Sequence, residues 1–204
     1  MRAAEAAVKK AVPAKRKRDA AATSNAILEA ASIVFSRSGY DRVGLREIAK
    51  EAGVTAALVN RYFGSKEGLF ARILERKIDL APVLAADRVA FGDWFAEYLV
   101  TKRENPNQYD PMLLMLRSLS DDDALKIIRA TLEEQLSKPL TAWLGGDNAS
   151  ERAGLMIAMF SGFALMKDVV RIKNLRKADQ DILITLLAPI IKIIADSPKS
   201  PEMG

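Results

Sequence analysis

From Ile27 onward the apolar positions recur with the period of a helix, not that of a strand. Ile27, Ala30, Ala31, Val34 and Phe35 fall at i, i+3, i+4 spacing and define one helix face. Thr23, Ser24 and Asn25 are suited to cap that helix at its start, and Ser38-Gly39-Tyr40-Asp41 closes it, with Gly39 placed for a left-handed C-terminal cap. A short helix is predicted from Leu45 to Ala52, stopped by Gly53, and another from Thr55 to Phe63. Gly64-Ser65 breaks the chain again, and Ser65 caps a longer helix carrying Leu69, Phe70, Ile73, Leu74 and Ile78. Beyond Ala81-Pro82 five further stretches have helical period: Phe91 to Thr101, Pro111 to Leu119, Asp123 to Leu144, Ala149 to Ile172 and Ala178 to Ala195. Asn105-Pro106-Asn107, Asp121-Asp122-Asp123 and Gly145-Gly146-Asp147-Asn148 mark the loops between them, the aspartates also suiting a helix N-terminus. No stretch alternates as a strand would. The pattern predicts an all-α chain.

Two helices near the end are apolar all round. Between Ala153 and Met166 the one polar side chain is Ser161, and between Ile182 and Ile191 it is Thr185. Fourteen helical residues span roughly 21 Å, short of the ~30 Å of a bilayer core, and the flanks Glu151, Arg152, Lys167 and Asp168 are charged, so no membrane span is expected. Such helices must be covered on both sides. Gly154, Ala158, Gly162 and Ala164 permit close backbone approach, and the pair suggests a surface shared between two copies of the chain.

Composition narrows the chemistry. The 204 residues contain no cysteine and no histidine, which excludes a disulfide framework and removes the commonest general base and zinc ligand. With no glycine-rich phosphate loop and no metal-ligand cluster, neither an enzyme nor a metal or cofactor is expected, and a cytoplasmic setting fits. The net charge of +5 is uneven: residues 1–19 hold seven bases against two acids, residues 20–77 nine against six, and the remainder fifteen against eighteen. Positive charge therefore gathers where a polyanion partner would lie. Residues 1–22 lack the apolar stretch of a signal peptide and read as a basic disordered arm with scope for a helical fragment. Such an arm is either a plain solvated tail or one that adds non-specific phosphate attraction or enters a minor groove.

The segment from Leu45 to Phe63 carries the sharpest chemistry. Two helices meeting steeply over a short turn need a small residue at their approach, which Ala49 supplies, and a residue tolerating positive φ at the turn, which Gly53 supplies. Ile48, Val54 and Val59 form an apolar wedge, and Thr55 is placed to cap the second helix. A generic αα-hairpin would show parts of this. The surrounding landmarks go further: Ile27-Leu28-Glu29-Ala30-Ala31, Phe35, Gly39-Tyr40, Ile48-Ala49, Ala52-Gly53-Val54 and Tyr62-Phe63-Gly64-Ser65-Lys66-Glu67-Gly68-Leu69. From Asn25 to Leu74 the chain closely resembles the DNA-binding domain of the TetR family of repressors.

Beside the basic arm (1–22), the resemblance implies a helix-turn-helix domain (23–68) and a helical regulatory and dimerisation domain (69–196), which leaves a disordered tail (197–204). It implies a transcriptional regulator, foremost a repressor, that binds double-stranded DNA at a palindromic operator and is released by an unidentified small-molecule effector. Thr55, Ala56, Asn60, Arg61 and Tyr62 would face DNA, Lys66 would reach a phosphate, and Arg46 and Lys50 would make backbone contacts. The sequence departs from the family at Val43 and Gly44, where a hydroxyl is usual, at Ala57, where glycine is common, and at Asn60, where tyrosine is common. By the same resemblance the last two helices pair in a homodimer, with Met156, Met159, Phe160, Phe163, Leu183, Leu187 and Ile190 as interface residues. Trp94, Tyr98, Met112, Met115, Leu116, Arg117, Phe160 and Phe163 would line an effector pocket, where Arg117 either faces an anionic ligand or pairs with an aspartate. The competing readings are an effector-independent DNA-binding protein, a histidine-free enzyme, and a membrane or RNA binder working through the arm.

Overall fold

The computed structural model describes residues 14–101 and 111–196, and every regular element among them is helical. Four helices come first: α1 (Ala14–Ser38), α2 (Leu45–Glu51), α3 (Ala56–Phe63) and α4 (Lys66–Lys77). They are followed by α5 (Ala81–Leu84), α6 (Phe91–Thr101), α7 (Pro111–Ser118) and α8 (Asp122–Leu132). The chain ends with α9 (Lys138–Leu144), α10 (Ala149–Ala164), α11 (Lys173–Arg176) and α12 (Gln180–Ala195). Residues 1–13 of the arm and the tail 197–204 lie outside the described residues.

The predicted punctuation holds at most helix ends. Gly39 takes φ +79° and its N–H donates to the Phe35 carbonyl at 2.9 Å. Ser65 Oγ accepts from the Gly68 N–H at 3.1 Å, and the Asp121 carboxylate accepts from the Ala124 N–H at 2.8 Å. The start of α1 is a correction. The expected caps at Thr23, Ser24 and Asn25 lie inside a helix that has already run from Ala14, the helical fragment for which the arm had scope. Alanine, lysine and arginine are strong helix formers, and Thr23 donates its hydroxyl to the Asp19 carbonyl one turn back instead of capping.

Two π-helical turns also depart from expectation. One, Glu133–Ser137, joins α8 to α9 just before Pro139, which has no N–H to give and whose ring crowds the preceding turn. The other, Leu165–Val169, ends α10. The chain then closes through Val170 N–H to Leu165 O and Ile172 N–H to Met166 O, with Arg171 at φ +60°, so the stretch predicted as one helix to Ile172 stops earlier.

Two apolar cores organise the packing. The first gathers Ile27, Ala31, Phe35 and Tyr40 of α1 and its turn, Ile48 and Val59 of α2 and α3, and Leu69, Phe70, Ile73 and Leu74 of α4. Leu114 of α7 and Ala124 and Ile128 of α8 complete it. The boundary expected after residue 68 thus falls inside α4, whose apolar face belongs to the first core. The second core joins α5, α6, α9, α10 and α12 through Val83, Phe91, Phe95, Leu140, Leu144, Met156 and Ile191. There Gly92 of α6 lies so close to α12 that a Cβ would sit 2.9 Å from the Ala188 carbonyl.

Candidate nucleic-acid interface

Between α2 and α3 the backbone turns where Gly53 adopts φ +66°, and the Val54 N–H bonds the Ala49 carbonyl at 2.9 Å. Ile48, Ala49 and Val59 are buried beneath the elbow, with Val54 packed at its edge. Thr55 Oγ1 accepts from the Leu58 N–H at 3.3 Å and fixes the start of α3. At the start of α2, Gly44 stands as N-cap with no side-chain bond and Val43 is buried in the first core, so this helix begins without a hydroxyl.

The outward face of α3 is set by its period. Ala57, Asn60 and Arg61 are exposed together, with Thr55 exposed at the helix start. Ala56 and Tyr62 are half-buried and pack against the first core, so they border this face and do not form its centre. Ala57, which sequence reasoning left off the interface, stands one turn before Arg61 on the same side. The Arg61 guanidinium lies 5.6 Å from the centre of the Tyr62 ring. Arg46 and Lys50 are exposed on α2 and, among the described residues, make no ion pair.

The turn into α4 is tightly built. A Cβ on Gly68 would meet the Phe63 carbonyl at 2.4 Å, so this helix can start here only with glycine at that position. Lys66 is folded back: its Nζ lies 3.9 Å from the centre of the Tyr40 ring. The Tyr40 hydroxyl donates to Glu67 Oε1 at 3.0 Å. Burial, reinforced by that hydrogen bond and the Glu67 charge, holds the Tyr40 phenol well above its ordinary range. Glu67 is held below the usual carboxylate range, first by the Ser65 hydroxyl, then by a backbone N–H.

The residues predicted to line a pocket do not gather in one place. Trp94, Tyr98, Phe160 and Phe163 pack on the second core with Phe91, Phe95 and Trp143; Trp94 stacks on Tyr98 at 5.5 Å and Phe95 on Phe160 at 6.3 Å. On α7, Met115 packs against the first core, while Met112 and Leu116 are half-buried. Among the described residues Arg117 makes no ion pair with an aspartate. Its guanidinium donates to the carbonyls of Ser36 and Arg37, the latter at 2.8 Å, at the negative end of α1. A cavity of about 330 Å³ lies elsewhere, lined by Arg88, Trp143, Leu144, Gly145, Gly146, Ala195 and Asp196.

The expected interface residues differ in exposure. Met156 is only 1% exposed and belongs to the second core. Met159, Phe160, Phe163 and Leu187 are half-buried against that core, and Leu183 is half-buried too. Of the seven, Ile190 is exposed. The outward apolar face is formed by Leu155 of α10 with Ile182, Leu186, Ile190 and Ile193 of α12, Leu186 being 61% and Ile193 75% exposed. Gly154 and Gly162 on α10 have nothing within 4 Å of where a Cβ would stand.

Residues 27–73 match the family model of bacterial regulatory proteins of the tetR family. Residues 90–194, just over half of the chain, match the tetracyclin repressor-like C-terminal domain. The chain belongs to the TetR family. Among relatives, it is 39% identical over 99 residues to the HTH-type transcriptional regulator RutR of Escherichia coli, covering 47% of this chain and 46% of RutR. It is 37% identical over 83 residues to the transcriptional repressor SCO4008 of Streptomyces coelicolor, covering 40% of this chain and 43% of that protein. The chain therefore spans about half the length of the curated relatives it matches. A third similarity is to the crystal structure of NalD, the secondary repressor of the MexAB-OprM multidrug efflux pump in Pseudomonas aeruginosa. It has a TM-score of 0.63 at 20% identity, covering 83% of this chain and 96% of that one, and shows that the TetR-type fold extends over both halves.

Proposed function

We propose that this TetR-family chain is a sequence-specific DNA-binding transcriptional regulator that acts as a homodimer, a repressor released from a palindromic operator by a small-molecule effector. The observation that carries the reading is α3: a short helix on a glycine elbow, capped by Thr55, with Asn60 and Arg61 side by side on its outward face. Such a helix fits a major groove. Arg61 would pair with guanine O6 and N7, and Asn60 with adenine or a phosphate. Thr55, Ala56 and Tyr62 would flank the bases, while Arg46, Lys50 and Lys66 would set the register on phosphates. The repressor names of SCO4008 and NalD support the direction of regulation.

In this reading the outward apolar face of α10 and α12 pairs with its copy, which sets two α3 helices about one helical turn (~34–36 Å) apart. The effector binds beside Trp94, Tyr98, Phe160 and Phe163, on helices that abut α7 through the π turn after α10. From α7, Arg117 grips the end of α1. A ligand shifts DNA affinity only if it binds the two arrangements unequally. Both tryptophans of the chain, Trp94 and Trp143, stand in this aromatic cluster, so an effector bound there is expected to change their fluorescence.

Selection of bound sequences from random duplex DNA tests the reading. The expected result is a palindrome with half-site centres about 10 base pairs or a multiple of that apart. Recovery of no enriched sequence would overturn it. A compound that changes tryptophan fluorescence without changing affinity for the selected duplex would remove the effector part.

A further inference from the structure

We propose that the cavity of about 330 Å³, where the loop before α6 meets the ends of α9 and α12, is a separate ligand site that takes a small zwitterion. The ligand is a free α-amino acid, its carboxylate at Arg88 and its ammonium at Asp196. This goes beyond the function proposed above, and needs neither the DNA contact nor an effector at the aromatic cluster.

Two uncompensated charges border the same space. Arg88 and Asp196 both line the cavity, yet among the described residues neither takes part in an ion pair. The Arg88 guanidinium donates to the Leu144 carbonyl and lies 5.1 Å from the centre of the Trp143 ring. Those contacts fix its position but leave its charge and most of its donors for a carboxylate, which a guanidinium grips through paired bonds. Asp196 stands just past the last turn of α12. There the helix end adds negative potential to the carboxylate, which favours an ammonium.

The walls are built without the ligand. α6 crosses α12 so closely at Gly92 that a Cβ would lie 2.9 Å from the Ala188 carbonyl and 3.1 Å from Lys192 Cβ. This approach sets Arg88, just upstream, beside the end of α12. The buried Arg152 guanidinium donates to the carbonyls of Gly145 and Ala195, and so pins one lining loop to the other. Gly145 takes φ +56°, and a Cβ there would meet nothing within 4 Å, so no side chain fills the space before it.

The pair of charges selects the ligand. An anion alone would meet Asp196, and a cation alone would meet Arg88; a molecule carrying both charges satisfies both walls and excludes its one-charge analogues. The volume is at the small end for ligand pockets. Phe91 also packs on the Trp143 ring, at 4.6 Å, so the indole is already committed and recognition rests on charge. A small or polar side chain suits such a site.

Calorimetric titration of the full chain near neutral pH tests the proposal. The probes are glycine, L-alanine and L-serine, with propionate and ethylamine as analogues that keep one charge each. At least one amino acid should bind saturably at millimolar concentration. Arg88→Gln and Asp196→Asn should each weaken that binding about tenfold or more, and propionate and ethylamine should bind wild type about tenfold more weakly or worse. Saturable binding of none of the three amino acids overturns the proposal. So does binding that either folded variant leaves unchanged, which puts the ligand elsewhere. Propionate or ethylamine binding as tightly as the amino acids would make this a site for a single charge, and contradicts it too. Both side chains are exposed, so the variants are expected to keep the wild-type urea midpoint. Should Arg88→Gln lower it, Asp196→Asn decides alone.

Discussion

Asn60 and Arg61 differ in what a base pair can offer them. A guanidinium makes two parallel bonds to guanine, and a wrong base leaves it half-paired, so Arg61→Ala should weaken binding to the selected duplex by about 1–3 kcal/mol. A scrambled duplex should lose much less; equal losses on both would make Arg61 a phosphate contact. Tyr40 supplies a second prediction at this scale. Its phenol is raised above the ordinary value by burial and by Glu67, so the native state holds that proton more tightly than the unfolded chain does. The contribution is complete below the unfolded value of ~10 and is lost as pH rises past it. Wild type should therefore lose thermal stability above about pH 10 more steeply than Tyr40→Phe, and parallel alkaline profiles would contradict this. Residue by residue, the sequence was legible where local chemistry dictates position. Gly39, Gly53, Thr55, Ser65 and Asp121 stand where turn and cap rules put them. Arg117 was not, because its partners are backbone carbonyls 80 and 81 positions away, which no local pattern encodes.

At the scale of helices, periodicity located the elements but not their phase. A helix that is apolar all round offers no polar stripe to say which side faces out. That is why the apolar pattern does not separate Met156, Leu183 and Leu187, which are buried or half-buried, from Leu155, Ile182 and Leu186, which are exposed. Sequence reasoning also passed over Arg152, treated as a charged flank of an apolar run. It is only 5% exposed, and its guanidinium donates to the carbonyls of Gly145, Asp147 and Ala195, tying the start of α10 to the ends of α9 and α12. Arg152→Met keeps the apolar stem but leaves three acceptors without their donors. It should destabilise the fold by about 2–4 kcal/mol, read as a lower urea midpoint. A change under about 0.5 kcal/mol would mean that water replaces those bonds without loss.

At the scale of the whole molecule, α7 touches the π turn after α10, and α7 and α8 carry side chains of the first core although they follow α6 of the second. The all-helical class was plain from period alone. The division of the cores was not, because it depends on long-range packing of α4 against α8 and of α1 against α7. The outward apolar face of α10 and α12 makes a prediction of its own. Leu186→Glu places a charge in the middle of that face. It should convert a dimer to a monomer by light scattering at micromolar concentration and lower affinity for a two-half-site duplex at least tenfold (~1.4 kcal/mol). An unchanged dimeric mass would move the interface elsewhere.

The functional account depends on α3 reading sequence, and one measurement addresses that directly: the affinity of the wild-type chain for its selected palindrome relative to a scrambled duplex of the same length and composition, at ~0.15 M salt. The account predicts a preference of about a thousandfold or more. Equal affinity for the two duplexes would contradict it.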